Sequence, residues 1–84
     1  MTKDYVLYNL REAAEELGRT IEEIEVDSHY SDEEFEIAVT HLYHHLNTAW
    51  NARHASADDV TACTAADFKR WRQFPTDINM SLGL

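Results

Sequence analysis

The chain has 84 residues, seven of them Lys or Arg and sixteen Asp or Glu, for a formal net charge of −9. That length holds at most one small domain, and two Gly with one Pro supply few of the tight turns an all-β fold needs. An apolar fraction of 44% argues against wholesale disorder, and the acidity argues against a general nucleic-acid or anionic-membrane binder. The single cysteine, Cys63, excludes an intrachain disulfide and any CxxC site. No apolar run approaches the roughly 18 residues of a membrane span, and the N-terminal stretch lacks the apolar core of a signal peptide. The expectation is a cytosolic chain with no membrane and no nucleic-acid partner.

The acidity is concentrated. Residues 1–36 set Lys3, Arg11 and Arg19 against twelve carboxylates, whereas in residues 37–84 four basic and four acidic groups cancel. Such asymmetry can steer a partner, but a carboxylate-rich helix is ordinarily a solvated face.

From Asp4 to about Val26, Leu7, Leu10, Ala14, Leu17, Ile21 and Ile24 recur in alternating steps of three and four. This is the seam of an amphipathic helix, expected to be its buried stripe, with Asp4 as N-cap. Gly18, inside the helix, costs about 1 kcal/mol relative to Ala and implies a close backbone approach or a bend. Ser31-Asp32-Glu33-Glu34 then has the form of a capping box. The helix it opens, about 32–53, carries Phe35, Val39, Leu42, Leu46 and Ala49 on one stripe. Two helices of similar length joined by a short loop predict an antiparallel hairpin. Mirroring about the loop sets Leu10 level with Thr48 and Leu7 level with Asn51. Further capping sequences at Ser56 and Thr64 predict a helical turn at about 57–62 and a helix at about 65–73, which Phe74-Pro75 ends. An extended tail, 74–84, follows, with Ile78 and Met80 available to dock.

The second helix is the unusual one. Ile37 to Ala52 is a run of sixteen residues without one Asp, Glu, Lys or Arg. A helix with no strongly charged face is ordinarily covered on more than one side. Either the C-terminal segment, through Phe68, Trp71 and Phe74, or a second copy supplies that cover. Ile37, His44, Thr48 and Asn51 on the helix rear are the candidate dimer contacts, and a four-helix bundle is the expected dimer core.

Among chemistry-bearing residues, His41 and His45 stand at i,i+4, the spacing that lets two imidazoles reach one metal ion. A third ligand has to come from another helix or another subunit. Several histidines on a packed helix also predict a loosening as pH falls from about 7 to 5. Asn47, Trp50, Asn51 and Arg53 form a polar-aromatic group fit for a ligand or partner. Lys69, Arg70, Trp71 and Arg72 form the basic-aromatic patch, whose cations are expected to meet acids of the first helix. No HExxH, phosphate loop or nucleophile-base pair is present, so no catalytic residue is assigned and no cofactor is expected. The reading is an all-α, non-catalytic interaction or assembly module, a homodimer or the partner of another protein. The alternative is a metal- or small-ligand-binding helical protein using His41 and His45, responsive to pH, or a subunit whose active site a partner completes.

Overall fold

The computed structural model describes residues 1–83. They form four helices, α1 (Lys3–Val26), α2 (Asp32–Asn51), α3 (Ala57–Ala62) and α4 (Ala65–Trp71), and no strand among the described residues. The helix starts follow local chemistry. Ser31 Oγ accepts from the Glu34 amide at 3.2 Å, Ser56 Oγ from Asp59 at 3.1 Å and Thr64 Oγ1 from Asp67 at 3.1 Å. Each bond satisfies one of the donors that a helix N-terminus leaves unpaired.

Some boundaries differ from the sequence reading. Thr2, not Asp4, occupies the cap position of α1, and Asp4 lies in its first turn. The Thr2 amide donates to Arg53 O at 2.6 Å and its hydroxyl donates to Ala55 O at 2.5 Å, tying the open end of the hairpin together. Helix α2 stops at Asn51 and α4 at Trp71, two residues short of the expected ends in each case. The segment after Pro75 is built of bends and turns rather than an extended strand, and Met80 remains exposed.

The hairpin is antiparallel, as the loop length implies. Its interior is not the expected one. The residues of α1 that α2 covers are Asn9, Ala13, Glu16 and Thr20, whereas Leu7, Leu10, Leu17, Ile21 and Ile24 stay between 42% and 49% exposed. At about 100° per residue, the Leu/Ile stripe lies roughly a quarter turn away from the contact line. On α2 the contact falls on Ala38, His41, His45, Ala49 and Ala52, and Phe35 and Leu46 stand aside in the same manner. Alanines at Ala13, Ala38, Ala49 and Ala52 let the two backbones approach closely, which favours rotating the bulky side chains outward. Because the helices run in opposite directions, both displaced stripes turn to the same side. Val6, Leu10, Leu46 and Ala49 line one groove there, and Ile24 and Phe35 share another nearer the loop. Gly18 has open space where a Cβ would lie, so it serves no close approach.

The opposite side of the hairpin is covered by the chain itself. Trp71, 4% exposed, packs edge-on against Tyr5 with ring centroids 6.0 Å apart, and Phe68 lies 5.0 Å from the His44 ring. Helix α2 is therefore covered by α1 and by the C-terminal segment, and its third, apolar side is bare. Among the described residues Trp71 is the one large apolar side chain that is fully buried; the other buried apolar groups are alanines. The surface reflects this. A compact 9.7 kDa chain exposes about 5,100 Å² by size scaling, whereas this one exposes 6420 Å². The radius of gyration is likewise 14.7 Å against about 12 Å for a compact domain of this length.

Candidate functional site

The small-residue contact between α1 and α2 brings four polar side chains into one line across the hairpin. Asn9 Nδ2 donates to the carbonyl of Tyr5 at 3.0 Å, one helical turn back. Its Oδ1 is thereby turned toward α2, where it accepts from His45 Nδ1 at 3.0 Å. On the same side Glu16 holds Arg19 through one carboxylate oxygen and accepts from His41 Nδ1 at 3.2 Å. His41 Nε2 and His45 Nε2 then face each other at 3.2 Å. The i,i+4 spacing places both rings on one face of α2, and the two acceptors on α1 fix which nitrogen of each ring carries hydrogen.

The electrostatics follow from burial. Asn9 and His45 are buried, while the His41 side chain is 49% exposed. Burial pushes the His45 imidazole below its ordinary value of 6.5, with the neighbouring His41 acting in the same direction and Glu12 and Glu16 opposing it. His44 is lowered for the same first reason, reinforced by His45, Arg72 and His41. Its ring stacks on His41 at 6.5 Å and tilts against His45 at 4.8 Å, so three imidazoles form one cluster. Arg19, chiefly, and then His41 hold the Glu16 carboxyl below its ordinary value of 4.5 against the opposing effect of burial. Beside this line is a small cavity of about 190 Å³, which Tyr8, His44, Thr48, Cys63 and Trp71 help to line. Thr48 Oγ1 and His44 Nδ1 are buried there without a protein partner, a setting that suits ordered water.

The remaining candidate residues divide into groups. Asn51 Nδ2 donates to Trp71 O at 2.8 Å and Gln73 O at 2.7 Å, and Asn47 Nδ2 donates to Arg72 O at 3.0 Å. These amides satisfy carbonyls at the end of α4, so both asparagines clamp the C-terminal segment onto α2. Trp50 Nε1 donates to Asp77 Oδ1 at 2.9 Å, and the Arg53 guanidinium lies 3.8 Å over the Trp50 ring. Of the four rear residues of α2, Thr48 and Asn51 contact or face the chain's own C-terminal segment, His44 packs on Phe68, and Ile37 remains exposed. That surface is therefore largely covered from within the chain.

In the basic patch, Trp71 points inward and offers no stacking face. Arg70 pairs with Asp67 of its own helix at 2.6 Å, and Arg72 lies 5.2 Å over Phe68. None of the ion pairs among the described residues joins Lys69, Arg70 or Arg72 to α1, contrary to the sequence expectation. The cleft between tail and hairpin, about 570 Å³, is lined by Asn51, Arg70, Pro75 and Asp77 among others.

Comparison with family models, curated proteins and solved structures finds no match.

Sequence reasoning missed Asn9 and Glu16. Both lie on a second stripe of α1, Asn9, Ala13, Glu16 and Thr20, whose steps of four, three and four match the periodicity of the Leu/Ile stripe. Asn9, Ala13 and Thr20 were visible as small or uncharged residues punctuating an otherwise acidic helix, whereas nothing in the sequence sets Glu16 apart from the other carboxylates of α1. The more hydrophobic stripe masked them.

Proposed function

We propose that this protein is a small non-catalytic assembly module of the cytosol, in which two copies join their bare apolar faces into a four-helix bundle. The observation that carries the proposal is the inversion of the hairpin: its interior is alanine and polar groups, while Leu7, Leu10, Leu17, Ile21, Ile24, Phe35 and Leu46 are exposed. Contiguous apolar surface of this extent on a chain with so little core is ordinarily an interface.

Charge favours a second copy as the occupant. Arg53 borders the face at the open end of the hairpin, and Asp27 and Asp32 border it at the loop end. A two-fold axis perpendicular to the helices sets the basic end of one copy over the acidic end of the other. None of the described helices is long and apolar enough to cross a membrane. Sedimentation velocity over micromolar concentrations tests the proposal. A dimer mass supports it, and a monomer mass throughout overturns it in favour of a different protein partner.

A further inference from the structure

The line Asn9–His45–His41–Glu16 contains a conflict that hydrogen bonds within the chain do not resolve. Glu16 is a carboxylate and only accepts, so His41 Nδ1 must carry the hydrogen in their 3.2 Å contact. Asn9 spends its amide nitrogen on Tyr5 O, so its oxygen faces His45 and His45 Nδ1 must also carry hydrogen. In the neutral rings, both Nε2 atoms are then bare lone pairs, and they point at each other across 3.2 Å. Two acceptors at that distance repel unless a cation lies between them. Either a proton or a metal ion satisfies the pair.

We propose that His41 Nε2 and His45 Nε2 form a two-imidazole site for a divalent transition-metal ion of the zinc class. Three features distinguish this pair from an ordinary i,i+4 histidine contact. The separation is right: nitrogens bound tetrahedrally to Zn²⁺ lie about 3.3 Å apart, from bonds of 2.0–2.1 Å. Each ring is oriented by an acceptor on its far nitrogen, a carboxylate for His41 and an amide oxygen for His45, the outer-shell arrangement typical of metal-binding imidazoles. One side is open: the exposed His41 ring borders a groove lined by Glu36, Thr40, His44, Phe68 and Arg72, through which an ion enters and water completes its coordination.

Among the described residues no group of three His, Cys, Asp or Glu is placed for one ion. Glu16 touches Nδ1 of His41, away from the ion, and acts as a positioning residue. The chain thus supplies two ligands and leaves the other positions to water or an incoming donor. Imidazole ligands select Zn²⁺, Cu²⁺ or Ni²⁺ over Mg²⁺ or Ca²⁺. Binding displaces any proton shared between the two Nε2 atoms into solvent. The site opens on the α4 side of the hairpin, away from the apolar face, so it stands independently of the proposed dimer.

Isothermal titration of the full chain with ZnCl₂, up to about 1 mM, the weak end of measurable affinity, tests the assignment. The expected result is one Zn²⁺ per chain, at least about tenfold weaker in His41→Ala and unchanged in His54→Ala, which removes an exposed histidine outside the cluster. Nitrogen-detected NMR of the imidazoles adds a readout that a structural role does not move: Zn²⁺ shifts Nε2 of both His41 and His45 and leaves their Nδ1 atoms bonded to hydrogen. If His41→Ala loses helical signal by circular dichroism, His41→Gln takes its place in the titration. Absence of Zn²⁺ binding, or equal binding by the wild type and the folded His41 variant, overturns the proposal and leaves a proton as the sole occupant.

Discussion

Replacing Leu17 and Ile21 together by Gln probes the apolar face most directly. Each keeps 49% of its surface exposed within one chain. Complete burial of such a side chain contributes about 1.5–3 kcal/mol, so covering the exposed half contributes about 1 kcal/mol. Two positions on each of two copies give about 4 kcal/mol per dimer. At about 1.4 kcal/mol per tenfold change, the dissociation constant rises about 1,000-fold. Gln is close to Leu in helix propensity and both sites face outward, so the far-UV circular dichroism of the monomer stays unchanged. Sedimentation velocity on wild type and variant over the same concentration series reads the shift. A dimer whose dissociation constant is unmoved by the double substitution refutes the placement of the interface, and with it the argument from inverted burial.

Other outcomes follow from the same geometry. Gly18→Ala, in a helix interior with open space around the new methyl group, should raise stability by about 1 kcal/mol, read as a higher thermal midpoint at fixed protein concentration. Asn51→Ala removes two hydrogen bonds to Trp71 O and Gln73 O and should cost about 1–2 kcal/mol in urea denaturation; an unchanged midpoint contradicts the clamp. His44 and His45 have folded-state values lowered by burial, so the unfolded chain takes up protons first as pH falls. Stability should be intact above 6.5 and decline below it toward their depressed values. The lowered carboxyl of Glu16 extends the loss below 4.5. Thermal midpoints measured with a chelator present check this, and a midpoint that holds or rises as pH falls through the histidine range contradicts it.

Local chemistry made much of the secondary structure legible. Ser31, Ser56 and Thr64 cap helices because a hydroxyl and a free amide three residues later meet within a single turn, an interaction that needs no distant partner. Asp4 misled because Thr2 is held by the carbonyls of Arg53 and Ala55, groups brought near only by the fold. The same distinction governs the site. Spacing alone placed His41 and His45 on one face, but the acceptors that orient them, Glu16 and Asn9, belong to the other helix.

Sequence by itself determined that the chain is helical, where its second, third and fourth helices begin, and that its long helices fold back on one another. Tertiary structure decided the rotation of each helix about its axis. A three-four periodicity defines a stripe but not its partner, and α1 carries two such stripes about a quarter turn apart. Close approach at Ala13, Ala38, Ala49 and Ala52 selected the small, polar stripe for the interior. Mirroring about the loop sets Leu10 near the level of Thr48, and Leu10 does share its groove with Leu46 and Ala49 on either side of that level. The side chains that meet inside the hairpin, however, are Asn9 with His45 and Glu16 with His41. Rotation is a property of two helices in contact, fixed by how closely their backbones pack, and no periodicity within one helix encodes it.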